Sequence, residues 1–548
     1  MARVKSGFPP RWSSAALLAF VLIAQPLLPG PATGAPRMLR GPSDVNGVGG
    51  PGSAAVTPAP EISQSTPCCG GPERVPGFIE AVNYDTGGEG IAYHDSDPGN
   101  RGGSTAYRPA EGIDTLPSAE GGYQIGWTSA GEWLQYTVDV EETTDYSMQA
   151  RVSSQTGGAF HIEVDGVDVT GTLTVNTGQW DVYQSVSRIP IQLNAGRRVI
   201  RFVVDSNALN FLFLHIQKVI PKGSRLLGMD SANGPESGPP LDAFNRAQAA
   251  GVEATSLSLN WDQIEPAPNV YVDPWNLLAT TNWFYPARNT QVSLTIRPID
   301  GNSKPVPADL RSVPFGDPVM IDRFNRMIVW VLQRMPNVTF ASIQIGNEID
   351  KYVGLDIPGY ATFLYWANVQ IKKVRPDVKV GYTASWQGLV QNSTRDALLW
   401  LKPYVDVVGV TYYPMDNNLQ VRHPMVVQQD FDMLMANYLD KTIFFEEVGY
   451  PTGPLCGSSE MKQNDFIQNV FAAWDSYANN IGYVSFLRVE DWSPRQADSV
   501  ASAPPYYLPY PAFSEFLRTL GFRTYPGAGQ DKLVMTTLMR EAAARGWN

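Results

Sequence analysis

The chain has 548 residues, which is too long for one hydrophobic core and predicts two or three domains. Acidic side chains outnumber basic ones, 53 to 41, and the net charge of −12 argues against nucleic acid or an anionic membrane surface as the partner. Aromatic residues are abundant, with 14 Trp and 24 Tyr. Only four His are present, and no cluster of His and Cys has the spacing of a zinc site.

The N-terminal segment has the pattern of an export signal. Arg3, Lys5 and Arg11 precede an apolar stretch over residues 15–28, and small residues follow it. We therefore expect a signal peptide over residues 1–35 and a secreted protein without membrane contact after cleavage. An uncleaved N-terminal membrane anchor is the alternative, and no later stretch is apolar enough to cross a bilayer.

Residues 36–75 are rich in Gly, Pro, Ser and Thr and lack hydrophobic periodicity, which predicts a flexible linker. The cysteines are Cys68, Cys69 and Cys456. An odd count with an adjacent pair is not a disulfide framework, and one bridge from the linker to Cys456 stays open.

Residues 76–220 alternate between apolar and polar side chains. Segments 132–138, 160–164 and 198–204 have the period of half-buried strands, and Asp165-Gly166 is a strong hairpin signal. Since no helix-period stretch of useful length intervenes, this region predicts an all-β jelly-roll sandwich.

Residues 221–548 change to a repeated pattern of strand, loop and helix. Helices are expected at 241–250 and 320–335, and a helical tail at the C-terminus. Eight strands alternating with helices predict an α/β fold, a (β/α)₈ TIM barrel, with the active site at the carboxyl ends of the strands. A doubly wound open sheet is the alternative, but no glycine-rich dinucleotide loop occurs. The candidate strands are 226–229, 254–259, 292–297, 342–346, 379–382, 405–410, 443–445 and 483–487.

Two glutamates follow candidate strands four and seven. Glu348 closes the string Ile-Gly-Asn-Glu, and Glu447 lies in Phe-Glu-Glu-Val-Gly-Tyr-Pro over residues 445–451. Breaking a glycosidic bond needs at least two opposed carboxyl groups, one to protonate the leaving oxygen and one to attack or stabilise the sugar cation. Glu446 is the rival of Glu447, but strand alternation predicts that only one of the two points into the barrel mouth.

These strings resemble the signature of glycoside hydrolase clan A, the retaining (β/α)₈ glycosidases. The segment from Glu447 to Pro451 is similar to the nucleophile motif of the β-1,3-glucanases and endo-β-1,4-galactanases of that clan. The resemblance implies Glu348 as general acid/base and Glu447 as nucleophile. It also implies that Asn347 binds the sugar 2-hydroxyl and that a tyrosine after strand six orients the nucleophile.

Further residues are candidates for the cleft. Tyr412 is the choice for the partner of the nucleophile, with Tyr413 next to it. Trp492 follows strand eight, where clan members commonly place a stacking tryptophan. Trp261 and Arg297 follow strands two and three and are expected to line the cleft, with core packing or ion pairing as the alternative.

Residues 77–218 resemble a family 6 carbohydrate-binding module, most specifically in Gly-Trp-Thr-Ser-Ala-Gly-Glu-Trp-Leu at 126–134. The resemblance implies that Tyr107 and Trp180 stack on a sugar ring and that Asn210 offers it an amide. Family members use a second glutamate for a structural calcium ion where this chain has Val82.

Whether the sandwich binds a structural calcium ion therefore stays open, and Glu80 and Asp205 are the candidate oxygen ligands. No cofactor is expected for catalysis.

The sequence as a whole predicts a secreted, monomeric, endo-acting retaining β-glycosidase. Its partner is a cell-wall or storage polysaccharide, first of all β-1,3-glucan, with galactan, mannan and xylan as alternatives. An enzyme that acts from chain ends on short oligosaccharides is one competing reading. A non-catalytic carbohydrate-binding or adhesion protein with a degenerate barrel is the other.

Overall fold

The structure is a computed structural model that describes residues 65–206, 208–231, 241–352, 354–501, 511–525 and 529–547. The predicted signal peptide and most of the predicted linker lie outside these residues. Among the helices that the structure describes, none has the length and apolar character needed to span a bilayer.

The first folded unit is a β-sandwich. Its strands are β1 (Glu73–Val75), β2 (Gly77–Glu80), β3 (Tyr93–His94), β4 (Thr115–Pro117), β5 (Tyr123–Ile125), β6 (Trp133–Val140), β7 (Thr144–Ser153), β8 (Gly158–Val164), β9 (Val167–Asp168), β10 (Leu173–Val175), β11 (Gln184–Leu193), β12 (Gly196–Ser206) and β13 (Asn210–Lys218). One sheet has the order β1-β6-β12-β8-β10, and the other has the order β11-β7-β13-β5-β4.

The inward-facing residues of the two sheets form one apolar core, which explains the alternation in the sequence. The hairpin predicted at Asp165-Gly166 is confirmed, since it joins β8 to β9 with positive φ at both residues, 51° and 79°. The sandwich begins with β1, which lies inside the segment predicted as linker and pairs in parallel with β6.

The second unit is a closed barrel of eight parallel strands. They are β14 (Leu226–Met229), β15 (Ala254–Asn260), β16 (Gln291–Asp300), β17 (Phe340–Asn347), β18 (Val380–Ser385), β19 (Val407–Tyr412), β20 (Thr442–Val448) and β21 (Ile481–Phe486). All eight predicted strands are confirmed. Because both faces of such strands are buried, they appear in the sequence as short apolar runs bounded by loop residues.

Helices surround the barrel and continue to the C-terminus. They are α1 (Asp242–Ala249), α2 (Trp261–Ile264), α3 (Leu277–Phe284), α4 (Pro318–Arg334), α5 (Ile357–Val374), α6 (Trp386–Val390), α7 (Asn392–Leu401), α8 (Val427–Tyr438), α9 (Glu460–Ser476), α10 (Pro494–Ala501), α11 (Pro511–Arg518) and α12 (Leu533–Arg545). The main core lies between this helical layer and the outer face of the barrel.

The cysteines do not join the linker to the barrel. Cys68 and Cys69 form a disulfide with each other, and Cys456 is a buried free thiol. The bridge to Cys456 that the sequence left open is therefore absent.

Candidate active site

Glu348 lies at the carboxyl end of β17 and is only 1% exposed. The chain turns sharply there, with positive φ at Gly346 (88°) and at Glu348 itself (45°). A Cβ on residue 346 would fall 2.6 Å from the side chains of Ile349 and Tyr360, so only glycine fits. A left-handed glutamate costs on the order of 1 kcal/mol, and such strain is typical of functional positions.

Two groups hold the Glu348 carboxylate. Thr411, the inward-facing residue near the end of β19, donates from Oγ1 to Oε1 at 2.7 Å. Lys351 donates from Nζ to Oε2 at 2.8 Å. Burial raises the pKa of Glu348, and the nearby ammonium group of Lys351 opposes that rise. Desolvation and the negative charge of Asp350 thus raise the pKa of Glu348, whereas Lys351 and the Thr411 hydrogen bond lower it.

A β-bulge in β20 brings both Glu446 and Glu447 to the inner side of the barrel. Phe445 is paired with Val410, but Glu447, two residues on, is paired with the next residue, Thr411. β20 therefore carries one extra residue, and the simple alternation of side chains is broken at this point. The prediction that only one of the two glutamates points inward is wrong for this reason.

Glu447 lies at the mouth, with Tyr413 donating from its hydroxyl to Oε2 at 2.9 Å. Burial and the negative charge of Glu348 hold the pKa of Glu447 well above its usual range, while the Tyr413 hydrogen bond lowers it. Two carboxyl groups that repel each other in a dry site share a proton rather than ionise together. The pair can therefore provide one acid and one carboxylate.

Tyr413, not Tyr412, is the partner of Glu447. Tyr412 ends β19 facing the helical layer, where its hydroxyl donates to Asp430 Oδ2 at 2.8 Å and its ring packs against Phe431. The choice of Tyr412 is corrected because strand alternation places it outward, next to the inward-facing Thr411. Only Tyr413, the first residue after β19, reaches the mouth.

Gly449 gives Tyr413 the room that it needs. A Cβ on residue 449 would lie 2.6 Å from Cε1 of the Tyr413 ring, closer than any real contact. Tyr450, the next residue of the motif, is buried and donates to the carbonyl of Arg422 at 2.7 Å. The motif therefore combines a carboxylate with the residues that shape its surroundings.

Asp300, at the end of β16, connects two of the predicted site residues. Its Oδ2 is 3.1 Å from Arg297 Nη1, and its Oδ1 accepts from Asn347 Nδ2 at 3.1 Å. Asp300 raises the pKa of Glu447 and Arg297 lowers it, so both act on the same carboxyl group. The structure thus brings Arg297 and Asn347 together with the glutamate pair.

Sequence reasoning missed three contributors to this arrangement: Asp300, Lys351 and Thr411. Asp300 follows the apolar run of β16, and that position could have identified it. Thr411 precedes the chosen tyrosine and occupies an inward position of β19. Lys351 carried no such signal, because it lies in a loop whose path the sequence does not show.

The two predicted tryptophans differ in position. Trp261 does not line the cleft, since it is fully buried, donates from Nε1 to Glu265 at 2.8 Å and packs on Phe324 of α4. Trp492 belongs to the apolar cluster that contains Tyr413. The Arg488 guanidinium lies 4.8 Å from the Trp492 ring centroid. The Trp492 Nε1 finds no hydrogen-bond acceptor among the described residues.

Glu446 lies deeper in the barrel than Glu447 and accepts hydrogen bonds from Gln344 Nε2 at 2.8 Å and Ser342 Oγ at 3.2 Å. Burial raises its pKa from the ordinary 4.5 to about 7. The unfolded chain loses this proton at lower pH than the folded chain, so stability falls as the pH rises from 4.5 to 7.

Glu446→Gln is therefore expected to flatten the pH dependence of stability. The substitution should remove a decline of about 3 kcal/mol between pH 4.5 and 7 in the free energy of unfolding. Urea unfolding of both proteins across this pH range measures it. Equal slopes for the two proteins would show that Glu446 does not titrate in this window.

The sandwich places the predicted sugar-binding residues at one end of its sheets. Trp180 is 38% exposed, and its carbonyl accepts from Asn210 Nδ2 at 3.1 Å. Tyr107 lies beside Tyr123, an exposed ring that the sequence did not identify, with centroids 5.2 Å apart. The Asn210 side-chain amide, which the sequence predicts to bind sugar, therefore already donates one hydrogen bond within the protein.

The calcium ligands proposed from the sequence lie on different sheets of the sandwich. Glu80 is exposed on β2, whereas Asp205 belongs to β12 of the other sheet, where its Oδ1 lies 2.6 Å from His161 Nδ1. Within the described ranges, no group of three or more His, Cys, Asp or Glu residues could hold a metal ion. A calcium ion held in part by Glu80 and Asp205 stays a prediction.

Comparison with known families identifies part of the sandwich. Residues 104–217 match the model for carbohydrate binding module, family 6. The resemblance predicted for this region is thus confirmed over that range. The solved C-terminal module of a marine laminarinase from Zobellia galactanivorans is 26% identical to this chain, covers 26% of it and 98% of its own length, and has a TM-score of 0.21.

Two solved enzymes are similar to larger parts of the chain. An exo-β-1,4-mannosidase from Opitutaceae bacterium strain TAV5 is 16% identical, with 58% of this chain and 59% of that one covered and a TM-score of 0.46. A xylanase from Cellvibrio japonicus, solved with xylopentaose, is 12% identical, with 83% and 98% covered and a TM-score of 0.45. At these values the likenesses say nothing about the substrate of this chain.

Proposed function

We propose that this protein is a retaining endo-β-glycosidase that hydrolyses a polysaccharide, with Glu348 as general acid/base and Glu447 as nucleophile. The observation that carries the proposal is the carboxyl pair at the barrel mouth. Thr411 connects its members, since it donates to Glu348 and is paired with Glu447 across the two strands. Tyr413 fixes Glu447 from the other side.

The reaction proceeds in two displacements. Glu447 attacks the anomeric carbon and forms an ester, while Glu348 gives its proton to the leaving glycosidic oxygen. Glu348, now ionised, then takes a proton from water, and that water breaks the ester and restores Glu447. The anomeric configuration is retained because the carbon is inverted twice.

The surroundings of each carboxyl group suit these roles. The Tyr413 hydroxyl orients Glu447 and stabilises its charged form, which is the attacking species. Asn347, held by Asp300, projects a carboxamide towards the position of a sugar 2-hydroxyl in this proposal. The ammonium of Lys351 stabilises ionised Glu348, which is the product of the first displacement and the base of the second.

The module match and the exposed ring of Trp180 support a polymer as substrate. The Glu447 to Pro451 motif favours β-1,3-glucan, and galactan, mannan and xylan are the alternatives. We further propose that the protein is exported, as residues 1–35 predict, and that it acts outside the cell as a monomer.

A hydrolysis panel tests the proposal. Purified protein is incubated with β-1,3-glucan, galactan, mannan and xylan, and products are sized over time while proton NMR records the first anomer released. We expect mixed oligosaccharides and the β-anomer first. Binding without product release would favour the non-catalytic alternative, a single small sugar would indicate exo action, and an initial α-anomer would exclude retention.

A further inference from the structure

A buried ion pair joins the sandwich to the barrel. Arg151 of β7 contacts Asp465 of α9, and the two side chains are 3% and 2% exposed. The other Asp465 oxygen, Oδ1, accepts from the backbone N–H of Ser185 in β11 at 3.0 Å. Among the described residues, the Asp465 carboxylate is therefore paired with groups of the sandwich, although it belongs to a barrel helix.

Further hydrogen bonds cross the same surface. Gln149 Nε2 donates to Gln468 Oε1 at 3.0 Å, and Gln468 Nε2 donates to the Ser185 carbonyl at 3.3 Å. Arg540 of α12 donates to Ser187 Oγ at 2.8 Å. Gln149 and Gln468 are buried, and hydrogen bonds between buried side chains across a surface are typical of a specific interface.

The connection between the two units is short and is held at both ends. Within residues 219–225, the Lys222 backbone N–H donates to the Arg545 carbonyl of α12 at 2.8 Å. Arg225, 3% exposed, donates to Asp475 of α9 at 2.9 Å and to the Ile220 carbonyl at 2.5 Å. A segment with these contacts does not act as a flexible tether.

Arg151 also connects the sandwich to the catalytic side of the barrel. It forms a two-point contact with Glu120, at 2.6 Å and 2.9 Å, near the exposed ring of Tyr123. Glu120 in turn lies 3.3 Å from His423, which is on the segment after β19 that begins with Tyr413. Glu120, which precedes the Tyr123 strand, thus contacts both Arg151 and the segment that follows β19.

We propose that the sandwich and barrel form one rigid body, fastened by Arg151, in which the module presents polymer to the barrel in a fixed orientation. Only the last part, presentation of polymer, rests on the proposed function. The rigid body itself is independent of any activity.

Distance and cooperativity measurements test the rigid body. Spin labels on Val167→Cys and Leu439→Cys, both exposed positions, report the spacing between the units. We expect a narrow distance distribution and one calorimetric transition in the otherwise unchanged protein. Asp465→Ala, and Arg151→Met as a second variant, should broaden the distribution and split the transition.

Asp139→Asn is the matched control, because it breaks the exposed Arg197–Asp139 pair of the same sandwich and should change neither result. A broad distribution or two separate transitions in the unchanged protein would overturn the proposal.

Activity supplies a separate readout. Asp465→Ala should lower hydrolysis of polymer by about tenfold relative to an aryl glycoside, since the module no longer positions the chain. If Asp465→Ala lowered activity equally on both substrates, the proposal that the module presents polymer would be wrong. The rigid body would then be judged from the distance measurements alone. Absence of activity in every protein would contradict the proposed function alone.

Discussion

Glu447→Ala is expected to lower kcat for polysaccharide hydrolysis on the order of 10⁴-fold or more, because no covalent intermediate can form without the nucleophile. Sodium azide should restore turnover of an activated aryl glycoside by occupying the space of the missing carboxylate. The product should be the α-glycosyl azide, since a single displacement inverts the anomeric carbon. Kinetics with and without azide, and NMR of the product, measure this.

Glu446→Gln is the matched comparison on the same strand. Its side chain lies deeper in the barrel, bonded to Gln344 and Ser342, so the loss of activity should stay below about tenfold. The assignment of the nucleophile would have to move to Glu446 if this variant were inactive and Glu447→Ala remained active.

The effect of Glu348→Ala on the rate should depend on the leaving group of the substrate. Hydrolysis of polymer should fall by about 10²- to 10⁴-fold, because the glycosidic oxygen needs a proton to depart. Formation of the glycosyl-enzyme from a dinitrophenyl glycoside should change little, since that leaving group needs no acid. Azide should then give the β-glycosyl azide. Similar losses on both substrates would contradict the role of general acid.

Lys351→Met is the companion variant for Glu348. Without the ammonium 2.8 Å from Oε2, the charged form of Glu348 loses its stabilisation and the pKa of Glu348 rises. The acid form then persists to higher pH, so the basic limb of kcat/KM should move upward. A shift to lower pH would show that the ion pair does not control the acid.

The layout of the fold follows from patterns that a sequence displays. The eight barrel strands are short apolar runs closed by loop residues, and the sandwich strands alternate because one face of each sheet is buried. Both glutamates could be placed at strand ends for the same reason. Fold and approximate site are therefore predictable from local periodicity.

The details of the site depend on geometry that periodicity does not show. The bulge in β20 adds a residue without any glycine or proline to mark it, and it turns Glu446 inward beside Glu447. Tyr412 and Tyr413 are chemically identical in sequence, and only the end of β19 decides which one reaches Glu447. Trp261 turns towards α4, a helix distant in sequence.

The contacts that hold residues 219–225 also limit how the sandwich of this protein can be exchanged for another domain. Cutting there and attaching another binding module would leave Asp465, Gln468 and Arg540 facing a foreign surface, with Asp465 deprived of its counter-ion. A sandwich moved to another barrel would need the α9 and α12 residues that it contacts in this protein. The unit that can be transferred intact is therefore larger than the sandwich, because it includes the side of the barrel that the sandwich contacts.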